Sequence, residues 1–233
     1  MNHKAPSAKT RVWTRAARKG TAPTQTEGRC SSWPCFRGEV EPTLALRDRL
    51  LGLDSKDLDY STDADPDAIE AIAGAIGAPV TTVGKRFGTI GALVGGEWSE
   101  ITTFRGDTYR DGSRWPDVTF GSSIEEDLAR RDFTINAFAE DAFTGRKLDL
   151  YGGEADLRAG IIRAVGEPER RFREDPLRIL RGIRFASQLG FAIEPGTLAG
   201  MEATAGLIAT LSQERITTEL DKLLRGKAPR DGL

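Results

Sequence analysis

The sequence predicts a mixed α/β layer followed by an all-helical region, and three observations carry that prediction. Helical and strand patterns interleave between Leu44 and Phe104. Within that stretch Asp57, Asp59 and Ser61 alternate with Leu58 and Tyr60, as a strand with one polar face requires. Beyond Asp156 the apolar residues fall at helical spacing to the end of the chain. The expected organisation is a basic leader over 1–36, the mixed layer over 37–155 and the helical region over 156–233. With 233 residues, 39% hydrophobic and 29% charged, the chain is long enough to bury a sizeable core.

Residues 1–29 carry seven Lys or Arg against one acid, Glu27, without periodicity, a composition that favours disorder. The bias superficially fits a transit peptide, and fits equally a non-functional leader or a mis-assigned start. Leu44, Leu46, Leu50, Leu51 and Leu53 then predict a short helix ending near Gly52, and the Asp57/Asp59 strand follows. Asp63 or Asp65 can cap a helix opened by Pro66, with Ile69, Ile72 and Ile76 at helical spacing and Gly77 at its end. Pro79 to Val83, Phe87 to Val94 and Trp98 to Phe104 read as strands. Arg105 to Gly121 is polar and glycine-bearing, the pattern of a mobile loop. A helix is expected over Ile124 to Ala139, then a turn at Tyr151-Gly152-Gly153. In the second half, Asp175 and Pro176 open a helix that Gly190 ends. Leu177, Leu180 and Ile183 form one stripe on it, and Arg178, Arg181 and Arg184 another. A last helix starts at Ser212, with Ile216, Leu220, Leu223 and Leu224 on its core face.

Several chemistries are disfavoured by composition. The net charge of −2 gives no global attraction to nucleic acid, so any RNA contact must come from local basic patches. Cys30 and Cys35 are the two cysteines and read as free thiols, without further Cys or His at metal-ligand spacing. The single histidine, His3, lies in the leader, which argues against histidine-based catalysis. No apolar run approaches the ~20 residues of a membrane span, and the expected location is cytoplasmic.

Asp57 and Asp59 on one strand face are like charges held close together. Like charges that close raise a pKa or demand a cation between them, and two Mg²⁺ ions roughly 4 Å apart are the usual solution in phosphoryl and nucleotidyl transfer. Read alone, such an acid-x-acid string is commonly a solvated turn. Other strings follow in order: Leu46-Arg47-Asp48, Arg130-Arg131-Asp132-Phe133-Thr134, Asp149-Leu150 with Gly152-Gly153 and Asp156-Leu157, Glu174-Asp175-Pro176-Leu177-Arg178, and Glu214-Arg215 with Glu219-Leu220. Together, from about Leu46 to Leu224, they resemble the bacterial class II tRNA nucleotidyltransferase and poly(A) polymerase family, the CCA-adding enzymes.

The resemblance implies a nucleotidyltransferase head with a polymerase-β-like mixed sheet, followed by a helical neck. It implies that Asp57 and Asp59 are catalytic and hold Mg²⁺, with Glu100 on a later strand as a possible third acid. It further implies nucleotide binding by Arg47, Arg131, Asp132, Asp175, Arg178, Arg181 and Arg184, with Asp132 accepting a ribose 2′-hydroxyl. The partners implied are ATP, CTP and the 3′ end of tRNA, with no membrane and an oligomeric state left open.

Asp175 and Arg178 are three apart, hence neighbours on a helix face, an acceptor-only carboxylate beside a donor-only guanidinium. Cytosine and adenine both present an amino donor next to a ring acceptor, so one such pair can read both. Uracil and guanine would leave buried groups unpaired at ~1–3 kcal/mol each. Outside this context the pair would be a helix cap plus an ion pair worth ~0.3–0.5 kcal/mol.

Two departures from the family pattern stand out. Where the family has Gly-Gly-x-Val-Arg-Asp, this chain has Thr43-Leu44-Ala45-Leu46-Arg47-Asp48, and a side chain at Leu44 would intrude where a triphosphate should lie. The similarity stops at the start of the neck, so the expectation is a truncated protein with weak tRNA affinity. The leading reading is addition of C and A to tRNA 3′ ends. Poly(A) synthesis, or an inactive remnant retaining at most nucleotide or RNA binding, stays open beside it.

Overall fold

The computed structural model describes residues 41–42, 44–53, 58–108, 117–120, 123–141 and 144–226. The leader, both cysteines, His3, Thr43 and Asp57 lie outside the described residues.

The first layer is a five-stranded mixed sheet of β1 (Glu41–Pro42), β2 (Leu58–Thr62), β3 (Val80–Thr81), β4 (Thr89–Val94) and β5 (Glu97–Thr103), in the order β1-β2-β5-β4-β3. Only β2 and β5 pair in parallel; the other neighbours are antiparallel. Helix α1 (Leu44–Leu50) enters β2, and α2 (Pro66–Ala75) starts on Asp65, whose carboxylate accepts the Ala68 amide at 2.8 Å. Helix α2 lies against β3, β4 and β5 and buries Ile69 and Ala73, while Ile76 is exposed past its end. Along β4 and β5, Ile90, Ala92, Ser99 and Thr103 are buried. The alternate residues, Trp98 and Glu100 among them, stand on the open face.

Three expectations change in the next stretch. Arg105 to Gly121 is not all loop: β6 (Arg105–Thr108) and β7 (Asp117–Phe120) form an antiparallel hairpin, which satisfies their backbone groups; residues 109–116 between them lie outside the description. The helix expected over Ile124 to Ala139 stops early, as α3 (Ile124–Ala129) capped by Ser123. After it Phe133 is extended and bridges to Ala164, while the Thr134 amide donates to the Arg163 carbonyl. Thr134–Asn136 then form a single 3-10 turn, and β8 (Phe138–Glu140) pairs with β9 (Lys147–Asp149). The third change is a small parallel sheet within the helical region. Helix α4 (Gly153–Ala159), its first amides held by Asp149, leads to β10 (Ile161–Ile162), which pairs with the later β11 (Ala192–Ile193).

Helices α5 (Pro168–Glu174), α6 (Leu177–Leu189), α7 (Pro195–Thr204) and α8 (Gln213–Leu224) complete the chain. Helix α6 packs on α8 and α5 on α7. One apolar core joins the two halves: Leu46, Phe133, Ile135 and Phe138 from the first pack with Phe172, Ile179, Phe185 and Met201 from the second. The arginine stripe of α6 faces inward, with Arg178 and Arg184 buried alongside Ile179 and Phe185. On α8 the buried residues are Glu219 and Leu223, and Leu220 and Leu224 are exposed, because the helix turns the Glu219 carboxylate toward Arg184.

Gly182 is where α6 comes closest to its neighbours. A side-chain carbon there would collide with Met201 Cε and meet Phe133 Cζ at 2.8 Å. Gly182→Val is therefore expected to lower the unfolding free energy by about 1–3 kcal/mol through overpacking, measured by urea titration.

Candidate active site

Strand β2 carries Asp59 onto the open face, and parallel pairing sets Asp59 opposite Glu100 and Ser61 opposite Thr102. Registered residues of neighbouring strands point to the same side, so the two carboxylates share that face. Asp57 lies outside the described residues. Sequence alternation correctly placed Asp59 and Ser61 on one side. Ser61, however, is buried, and Tyr60 only half-buried. A cavity of about 370 Å³ opens over these acids, lined on the sheet side by Asp59, Ser61, Thr89, Glu100 and Thr102 and on the other by Arg105, Arg130 and Arg131. Carboxylate oxygens and guanidinium groups thus face one space, the first suited to a hard divalent cation and the second to phosphate.

The arginine side is built on Asp127 at the buried face of α3. Its two oxygens hold Arg130 Nη2 at 2.6 Å and Arg131 Nη2 at 2.8 Å. Burial pushes the Asp127 carboxyl up, but the two guanidiniums together hold it below its ordinary value. Arg130 Nε also donates to the Arg105 carbonyl at 3.1 Å. Arg131 Nε is buried and makes no hydrogen bond, a spare donor beside the cavity. Arg105 and Asp127 were not foreseen; the acidic run Glu125-Glu126-Asp127 before two arginines at i+3 and i+4 was the signal.

Asp132, expected to meet a ribose hydroxyl, is buried in a protein network. Oδ1 accepts the Phe133 amide at 2.8 Å and Asn136 Nδ2 at 3.1 Å, and Oδ2 accepts Arg181 Nε at 2.7 Å and Nη2 at 2.6 Å. Burial pushes its carboxyl up, while the Arg181 charge and these hydrogen bonds prevail and hold it below the usual range. Arg47 joins through Nη1 to Asn136 Oδ1 at 2.9 Å and through Nε and Nη2 to Asp48 Oδ1. The Phe185 ring is the centre of this group: Arg184, Arg181 and Arg47 lie 4.1, 5.3 and 5.4 Å from its centroid. Arg184 is also paired to Glu219 at 2.7 Å; burial lowers its guanidinium, Glu219 opposes that, and Arg181 adds to it. The structure brings Arg47, Asp132, Arg181 and Arg184 together, interlocked through Asn136 and Phe185. Asn136 and Phe185 were missed because their roles depend on that packing.

The pair expected at the start of α6 turns to different partners. Asp175 Oδ1 accepts the Leu177 amide at 3.1 Å, and both its oxygens receive Arg215 Nη2, at 3.1 and 2.9 Å. Arg178 donates to Glu174 Oε2 at 3.0 Å and to the carbonyls of Arg171 and Arg130. Arg178 thereby ties α6 to the segment that carries Arg131 and Asp132.

Comparison with known proteins agrees with this architecture. The family model for the poly A polymerase head domain matches residues 45–163, and that for the probable RNA and SrmB-binding site of polymerase A matches 190–233. The CCA-adding enzyme of Limosilactobacillus fermentum is 47% identical over 191 residues, 81% of this chain and 46% of the relative; that of Bacillus subtilis is 45% identical over 190 residues, 81% and 47%. Among solved structures, the Bacillus stearothermophilus CCA-adding enzyme in complex with CTP superposes with a TM-score of 0.73 at 44% identity, covering 83% of this chain and 46% of that one. The Thermotoga maritima CCA-adding enzyme complexed with tRNA_CCA does so with a TM-score of 0.67 at 29% identity, covering 84% and 45%. The chain spans about half the length of the curated relatives it matches. With more than half of its residues under the head-domain model and its mixed sheet and helices laid out as in these structures, the chain belongs to the poly A polymerase head-domain family that includes the CCA-adding enzymes.

Proposed function

We propose that the protein is a nucleotidyltransferase that adds C and A residues to the 3′ end of tRNA from CTP and ATP, acting in the cytoplasm through a catalytic head up to about residue 155 and a helical neck beyond it. The observation that carries this reading is the shared cavity, with Asp59 and Glu100 in register on one wall and Arg105, Arg130 and Arg131 on the other. Asp59 and Glu100, with Asp57, supply the oxygen donors that Mg²⁺ prefers. Bound there, the ion would acidify the attacking hydroxyl and neutralise charge on the phosphate. Among the described residues no helix is long and apolar enough to cross a membrane.

The remaining roles belong to side chains. Arg131, fixed by Asp127 and lining the cavity, would meet a triphosphate oxygen through its guanidinium. Asp132, Arg181 and Arg47 brace one another around Phe185 and present a rigid nucleotide-facing wall. Reading a base with both Asp175 and Arg178 requires the Arg178 guanidinium to exchange Glu174 for the base edge and Asp175 to share its oxygens with Arg215. Both partners then offer cytosine and adenine the same acceptor and donor pattern.

Poly(A) synthesis is the second reading, because both matching family models take their descriptions from polymerase A. One experiment addresses both readings: Mg²⁺-dependent incorporation of labelled CTP and ATP into tRNA lacking its 3′ CCA. Addition of two C residues and one A is the expected product. A run of A alone would favour poly(A) synthesis. Absence of incorporation would withdraw the activity and leave a nucleotide- or RNA-binding remnant.

A further inference from the structure

Trp98 lies on the open face of the sheet, 49% exposed, and is not part of the arginine-lined cavity. Register sets Gly91, Glu100 and Asp59 in one row across β4, β5 and β2. Gly91 leaves room for the indole: a methyl group there would meet Trp98 Cε3 and Cζ3 at 3.8 Å and Thr81 Cγ2 at 2.5 Å. The ring therefore leans over Gly91, roughly 5 Å from the Glu100 strand and roughly 10 Å from the Asp59 strand, by the usual strand spacing. Its cross-strand partner Leu93 is half-buried.

The acid row thus divides the face in two. On one side Thr89, Thr102 and Ser61 lead to Arg105, Arg130 and Arg131; on the other is an aromatic ledge. An in-line displacement needs the attacking hydroxyl and the leaving pyrophosphate on opposite sides of the α-phosphorus, so the acceptor approaches from the side away from the triphosphate. The triphosphate is drawn to the guanidiniums, which leaves the ledge for the polymer. We propose that Trp98 is a stacking platform for a base at the single-stranded 3′ end of the RNA acceptor, setting the terminal ribose beside Asp59 and Glu100. This inference rests on the nucleotidyltransferase reading above. Stacking suits a surface that must accept more than one terminal base, because every base has a π-face.

The test uses the full chain with Trp98→Ala and Trp98→Phe. Trp98→Ala is expected to raise KM for RNA by about tenfold, in the range for loss of one stacked base, with KM for CTP and ATP unchanged. Trp98→Phe should restore most of it. A second readout is independent of turnover. A short single-stranded oligoribonucleotide should quench indole fluorescence in the parent, and the quench should disappear in Trp98→Phe, which keeps Trp13, Trp33 and Trp115. An unchanged KM for RNA in an active Trp98→Ala chain, or equal quenching with and without Trp98, overturns the stacking role and leaves the transferase reading standing. Trp98-dependent quenching without any incorporation supports the platform and overturns the transferase reading alone.

Discussion

An Asp59→Ala chain should fold as the parent does and transfer nucleotide at least about a thousandfold more slowly. Several kcal/mol of transition-state charge stabilisation depend on a correctly held catalytic metal, and each 1.4 kcal/mol is a factor of ten in rate. Asp59 is half-exposed on the open face, with Glu100 as its registered neighbour, so its removal leaves the apolar core intact. A single cooperative thermal melt, together with single-turnover rates at saturating Mg²⁺, would separate this from loss of folding. Retention of more than a tenth of the parent rate would remove Asp59 from the catalytic role.

Asp132→Ala should act through stability as well as activity, lowering the unfolding free energy by about 3–5 kcal/mol, the usual cost of removing one member of a buried ion pair. The truncation strands the Arg181 guanidinium, Asn136 Nδ2 and the Phe133 amide around a space that Asp132 now fills. The same carboxyl makes the parent sensitive to acid. Its value in the folded chain lies below its ordinary one, so the stability it contributes is fully present above about pH 4, the ordinary carboxylate range. That stability is lost as pH falls through the lower folded value. Asp127, depressed in the same direction by Arg131 and Arg130 against its burial, adds to the effect. Urea unfolding between pH 7 and pH 3 should show a steeper loss in the parent than in Asp132→Asn.

Much of the sheet was legible because alternation is a strong local signal. Asp59 and Ser61 share a side, β4 and β5 fall where the apolar runs do, and Asp65 caps α2 as its place before Pro66 suggests. The segment Arg130 to Ala137 was misread because its pattern fits a helix over short range, whereas the bridge between Phe133 and Ala164 comes from residues about thirty positions away. The α6 arginines were expected to face nucleotide. Their orientation depends on carboxylates from three other segments, Asp132, Glu174 and Glu219, which no local pattern reveals. The partners of Asp175 and Arg178 were hidden for the same reason: helical spacing makes the two neighbours, and Arg215 and Glu174 decide which way each one turns.

The core that joins Leu46, Phe133 and Ile135 to Ile179, Phe185 and Met201 has a mechanical consequence. The segment bearing Arg131 and Asp132 and the helix proposed to inspect the base cannot slide apart without wetting that shared interior, so their separation works as a fixed gauge. On the proposed function a nucleotide would be judged against a rigid calliper, and a base of the wrong pattern would gain nothing from the chain yielding to it.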